Sequence, residues 1–186
     1  MGEWYDVVVV GRGMMGTAVA RHASKAGARV ALVGPEEKPK SEWASAEVFG
    51  AHYDEGRITR TLDPDEVWSW MAARSIERYG EIAKDGGEEF YSEVGHLVVD
   101  RQGADGYLDK LLSTAQRSGG TGTLLSHAEI SRQFPYLNFP ADMQGVYQRQ
   151  ASGYLSPRRL VAAQSRAAAG SGCTLVPEHA TRVDRT

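Results

Sequence analysis

Four consecutive valines, Val7 to Val10, run directly into Gly11-Arg12-Gly13-Met14-Met15-Gly16. An unbroken β-branched run of this length, entered from Tyr5, predicts a short strand buried on both faces. The three glycines spell G-x-G-x-x-G where the chain leaves that strand. Thr17 to Ala26 is small and helix-compatible, Gly27 ends it, and Ala28 to Val33 predicts a second buried strand. The whole is one βαβ unit of about 30 residues, the setting this motif needs. Gly11 permits a tight turn off the strand. Gly13 lets a pyrophosphate approach the backbone, and Gly16 lets the helix pack down on the sheet. The free N–H groups and dipole of the first helical turn then favour phosphate, so the stretch predicts a dinucleotide site.

In such a site an acid at the end of the second strand usually holds the adenosine ribose. Here that position is Gly34, followed by Pro35, Glu36 and Glu37. Glu36 is the candidate to reach back to the ribose; its alternative is a solvated loop carboxylate. Gly34-Pro35 and Lys38-Pro39 make this exit rich in turn signals.

The next concentration of chemistry is Ala51 to Arg60, which gathers His52, Tyr53, two acids and two arginines ahead of a helix. Arg57 and Arg60 are guanidinium forks suited to carboxylate or phosphate. A solvated charged loop is the bland alternative. Asp63-Pro64-Asp65-Glu66 predicts a helix start with Asp63 as N-cap, running to about Lys84 and ending at Gly86-Gly87. Trp68 and Trp70 are expected in a core or a domain interface. Strand pieces are expected at Phe90-Tyr91, Gly95–Val99, Thr121–Leu125, Gly145–Gln148 and Gly153–Leu155, with helices from Ala104 to Arg117 and after Ser126. His96 is read as a sheet residue. His127 and Glu129 do not form H-E-x-x-H, so no zinc site is indicated. Ser156-Pro157 caps an alanine-rich helix to Ala169, Cys173 to Val176 resumes the βα pattern, and Thr181 to Asp184 is expected to begin another strand.

The expected fold class is therefore α/β: a Rossmann-like βαβ domain (residues 1–60 and 156–186) carrying an inserted mixed α+β portion (61–155). Formal net charge is -3 over 186 residues, with 24% charged and 41% hydrophobic residues, which gives no reason to expect nucleic acid or an anionic membrane surface as partner. No apolar run approaches the length of a membrane span. The sole cysteine, Cys173, excludes an intrachain disulfide and fits a reducing compartment, so a cytoplasmic location is expected. Set among apolar residues with no base beside it, it is read as structural.

These residues together resemble the N-terminal half of the D-amino-acid oxidase superfamily of FAD-dependent oxidoreductases, with sarcosine and N-methyltryptophan oxidases as the nearest branch. The resemblance rests on Val7 to Gly16, on Arg57-Ile58-Thr59-Arg60, on Glu93 to Val99, on Ser152 to Ser156, and on Ala180 to Val183, in the same order as in the family. It implies FAD as cofactor, with Gly11, Gly13, Met14, Met15 and Gly16 at the pyrophosphate and Val183 at the adenine. It implies that Arg57 and His52 lie beside the flavin ring and that Arg60 pairs with a substrate carboxylate. It also implies oxidation of a C–N bond in an amino acid or N-alkyl amine, hydride equivalents passing to flavin N5. Gly34 and Tyr53 stand where the family carries an acid and a second histidine. The family fold would be about half complete here, which implies a missing C-terminal half or a second polypeptide. In a doubly wound sheet the first strand is central, so Val7 to Val10 would otherwise be left as an edge. Two competing expectations are an NAD(P)-dependent dehydrogenase domain, which the α+β insertion argues against, and a non-catalytic flavin-binding subunit of a complex.

Overall fold

The protein is described by a computed structural model covering residues 4–45 and 50–184. In chain order the elements are β1 (Val7–Val10), α1 (Met14–Lys25), β2 (Val30–Val33), a 3-10 turn at Lys40–Ser45, β3 (Arg57–Thr59), α2 (Glu66–Ile76), α3 (Tyr79–Gly86), β4 (Tyr91–Ser92) and β5 (His96–Arg101). They continue with α4 (Tyr107–Arg117), β6 (Thr123–Leu125), α5 (His127–Gln133), β7 (Met143–Gln148), β8 (Gly153–Leu155), α6 (Pro157–Gly170) and β9 (Thr174–Val176). The chain divides into two compact units. One comprises Met1–Arg57, Gly80–Phe90 and Ser156–Thr186; the other comprises Ile58–Tyr79 and Tyr91–Leu155.

The first unit is built on a parallel sheet in the order β1-β2-β9, with Val7 opposite Val30 and Ala31 opposite Thr174. The β1–β2 crossover is the helix α1, and the long connection from β2 to β9 returns through α6, as parallel pairing needs a crossover. Its core gathers Ala20 of α1, Val30 and Leu32 of β2, Ala168 of α6 and Cys173. Ala20 and Ala168, both fully buried, join α1 and α6 in that core. Ser156 caps α6, its side chain accepting from the Arg159 N–H at 3.2 Å, with Pro157 in the first turn, as the Ser-Pro pair predicts. Cys173 is buried, and that burial raises its thiol above the ordinary range, which agrees with a structural role.

The segment Gly80–Phe90, which the sequence places within the 61–155 portion, packs with the first unit. Lys25 pairs with Asp85 at 2.7 Å and also with Glu81, while Arg166 donates to the Gly86 carbonyl at 2.6 Å. A side chain on Gly86 would meet the Ala163 carbonyl oxygen at 2.4 Å, so this contact needs glycine. The expected single helix from Asp63 to Lys84 is correspondingly two helices, with the break at Glu77-Arg78. Its cap is Asp65, which accepts from the N–H groups of Val67 and Trp68; Asp63 instead accepts from the Asp65 N–H at 2.9 Å. Trp68 and Trp70 are 64% and 53% exposed rather than in a core.

As expected, β1 is an edge: among the described residues it pairs only with β2. Val8 and Val10 alternate out of the sheet and are each 57% exposed. At the other edge the strand expected from Thr181 does not form. Among the described residues no further strand lies beside β9, and residues 179–184 have no regular structure and are exposed.

The second unit holds two three-stranded sheets, β3-β8-β4 and β5-β7-β6, the latter antiparallel with His96 opposite Gln148. Its core is Leu62, Leu108, Leu111, Ala115 and Val146. The buried Gln148 amide accepts from the N–H groups of Thr61 and Leu62 at 3.2 and 3.3 Å and donates to Thr61 Oγ1 at 2.6 Å. This fixes the backbone immediately after Arg60. Among the described residues, no helix is long and apolar enough to cross a membrane.

Candidate functional site

The glycine turn after β1 opens onto a cleft of 770 Å3 in the first unit. Gly11 has φ +110°, a conformation available to glycine and rare for other residues. A Cβ on Gly16 would fall 1.8 Å from the Gly11 carbonyl oxygen, so this glycine is fixed by the helix seating on the turn. Gly13 is different. Its φ of -92° suits any residue, and a Cβ there would meet only His52 Nδ1, at 3.8 Å. Neither conformation nor packing within the chain demands glycine at this position. A ligand drawn up against the backbone would demand it, and Gly13 is the N-cap of a 12-residue helix with no acid in its first turn. The N–H groups of that turn have no intrahelical partner. The cradle therefore fits a dinucleotide pyrophosphate.

Six of the cofactor residues expected from sequence line this one cleft: Gly11, Gly13, Met14, Met15, Gly16 and Glu36. His52 lines it too. Its ring meets Tyr53 edge-on with centroids 4.8 Å apart. Burial, and then the nearby Arg158 charge, hold its pKa below the ordinary histidine value. Arg57 belongs to the same unit but is not among the lining residues. It is exposed, donating through Nε to Asp54 at 2.7 Å and through Nη2 to the Ala51 carbonyl. Val183 is 84% exposed and outside the lining. Arg60 lies in the second unit, its Nη1 3.3 Å from Asp63, and its charge joins burial in lowering the His96 pKa.

Two lining residues escape the motif reading. Arg12 crosses from the glycine turn to Glu36, with Nη1 3.0 Å from Oε1. Its signal was a charged residue between the first two glycines combined with the missing acid at Gly34. Arg158 enters from the first turn of α6, next to the Ser-Pro cap. It pairs with Glu37 and, at 3.1 Å, with Glu55, and its guanidinium lies 4.3 Å from the Trp43 ring. It thus ties the loop after β2 and the loop before β3 to one helix start. A cap motif marks where α6 begins but carries no information on which distant carboxylates its first arginine will meet.

A parallel βαβ layer with a glycine cradle at the helix N-terminus defines a dinucleotide-binding protein. The family model for DAO, FAD-dependent oxidoreductase, matches residues 6–186. The chain belongs to that family. It is 32% identical over 176 residues to a monomeric sarcosine oxidase of Streptomyces avermitilis, covering 94% of this chain and 44% of the relative. It is 26% identical over 173 residues to an N-methyl-L-tryptophan oxidase of Yersinia pestis, covering 92% and 44%. Among solved structures, L-proline dehydrogenase from P. horikoshii superposes with a TM-score of 0.74 at 18% identity, over 95% of this chain and 44% of that one, which shows a shared fold. The chain thus spans less than half the length of these relatives.

Proposed function

We propose that this chain is the FAD-binding half of an oxidoreductase that oxidises the C–N bond of an amino acid or N-alkyl amine. The observation that carries the reading is Gly13: a glycine that the chain's own packing does not require, at a helix N-terminus facing a cleft, in a member of an FAD-dependent family. Bound there, FAD supplies the hydride acceptor. The chain's own residues bind and orient. The first turn of α1 takes the pyrophosphate and Glu36 the ribose. His52 and Arg57 are assigned to the flavin end, and Arg60 to a substrate carboxylate. Val183 is assigned to the adenine by resemblance to the family alone.

The remainder of the site is supplied by further polypeptide, either a continuation of the chain or a second subunit. The open β1 edge and the exposed Val8 and Val10 support this, because such an edge is an aggregation liability unless covered. A stable, well-folded monomer of 20.2 kDa in sedimentation would count against it. A cytoplasmic location is part of the proposal, supported by the single buried cysteine.

The test is reconstitution. FAD is titrated into the chain alone and into the chain completed by the missing half. Quenching of flavin fluorescence is expected, followed by bleaching of the visible flavin band when an N-methyl amino acid is added without oxygen. No flavin retention in either form would overturn the FAD reading. Retention without bleaching by any amino acid or N-alkyl amine would overturn the oxidase reading and leave a flavin-binding subunit.

A further inference from the structure

Gly34 follows directly on β2, where a carboxylate would ordinarily hold the adenosine ribose. The structure shows why none stands there. A Cβ on Gly34 would lie 2.8 Å from both the backbone nitrogen and the Cβ of Arg12. The glycine turn passes so close to the end of β2 that a side chain would have to displace backbone.

Arg12, whose passage excludes that side chain, bridges to a carboxylate two positions further on. Its side chain is only 14% exposed, while that of Glu36 is 68% exposed. Nη1 of Arg12 donates to Oε1 of Glu36 at 3.0 Å. Both residues line the cleft beside the phosphate cradle. An ion pair this open contributes little to stability, at most about 1 kcal/mol. What it does is restrict geometry: a long, exposed glutamate is held by one carboxylate oxygen, leaving Oε2 as an acceptor at the cleft.

We propose that Arg12 is the positioning residue that aims Glu36, the carboxylate assigned above to the ribose, from two residues beyond the usual position. The inference rests on the dinucleotide reading of the cleft. It makes the Arg12–Glu36 pair a device for selecting a free 2′-hydroxyl.

The probes are ADP and 2′-deoxy-ADP, with binding to the full chain measured by calorimetry. The wild type is expected to prefer ADP by about tenfold, the value of one hydrogen bond to a charged group. Glu36→Ala brings that ratio to near one while leaving 2′-deoxy-ADP affinity unchanged. Arg12→Met, which keeps the aliphatic packing, lowers the ratio as well, and Arg12→Lys restores part of it. Thermal melting by circular dichroism confirms that each variant is folded, and a merely structural role for Arg12 would not move the ratio. An unchanged ratio in Glu36→Ala overturns the proposal. So does equal weakening of both ligands in Arg12→Met, which would make Arg12 a phosphate ligand instead. A wild type that binds both probes equally overturns this inference and the ribose assignment of Glu36 while the dinucleotide reading stands, whereas a wild type that binds neither overturns the dinucleotide reading as well.

Discussion

The first turn of α1 sits so tightly on the β1 turn that a Cβ on Gly16 would lie 1.8 Å from the carbonyl oxygen of Gly11. Two glycines of one motif therefore answer to different physics. Gly16→Ala must push the helix off the turn, and a loss of about 3 kcal/mol, the upper end for overpacking, is expected in urea unfolding. Gly13→Ala meets nothing closer than 3.8 Å and loses only the cap preference of glycine over alanine, about 1 kcal/mol or less. Yet Gly13→Ala is the variant expected to weaken ADP binding, by tenfold or more, because its methyl group stands in the phosphate's approach. Equal stability losses for the two variants would remove that distinction.

This contrast shows how far the sequence is legible. The βαβ unit could be read because its cues are local: a valine run, glycines at fixed offsets and a second apolar run. The cap of α6 and the capping box of Ser126 and Glu129 are local in the same way. The break at Glu77-Arg78 has no such cue. No proline or glycine occupies it, and apolar spacing continues across it. It is set by tertiary contacts on either side, Tyr79 bonding Thr59 at 3.1 Å and Asp85 bonding Lys25 at 2.7 Å. The strand expected from Thr181 fails for the opposite reason: its cue is local, but a strand needs a neighbour, and none pairs with this segment among the described residues. Arg12 and Arg158 find their partners 24 and about 100 residues away, separations that no local pattern reports.

Arg158 is expected to matter for the first unit out of proportion to one side chain. Its side chain is 15% exposed, and its guanidinium pairs with Glu37 and Glu55 and lies against the Trp43 ring. Arg158→Ala would leave Glu37 partly buried without its counter-charge. A loss of about 2 kcal/mol is expected, below the 3–5 typical of breaking a fully buried pair. Arg158→Lys should recover less than half of it, since an ammonium lacks the planar fork needed to hold two carboxylates while stacking. Urea unfolding followed by tryptophan fluorescence measures both. Full recovery by lysine would mean that charge alone matters.

Acid should weaken the fold in two stages. Burial, and then the charges of Arg158 beside His52 and Arg60 beside His96, lower both histidines, so both rings stay neutral in the folded protein below their ordinary value of 6.5. The unfolded chain then binds more protons, and stability falls as pH falls from 6.5 through the folded values. Glu55 is lowered by its hydrogen bond from Ser156 and by Arg158, so its contribution is present above the ordinary 4.5 and lost as pH drops through its folded value. Melting temperature against pH should show the first decline flattened by His52→Gln and by His96→Gln and the second by Glu55→Gln. An imidazole resonance of His52 titrating at or above 6.5 would contradict the first stage.

Arg60 yields the prediction that reaches substrate. Gln148 pins the backbone of Thr61 and Leu62, and Asp63 holds the guanidinium from one side at 3.3 Å, so the arginine is aimed rather than free. Its side chain keeps 33% exposure, enough for its remaining N–H groups to meet a ligand. In the completed protein, Arg60→Ala is expected to weaken carboxylated amines about 10- to 100-fold, the value of a charged hydrogen bond, and to leave uncharged amines within about twofold. Arg60→Lys should keep part of the affinity but lose the two-point geometry of the fork. Steady-state kinetics on a matched pair, an N-methyl amino acid and its amide, separates the outcomes. If both substrates weaken equally, Arg60 shapes the site without contacting the carboxylate, and the anion partner must be sought among other residues of the completed site.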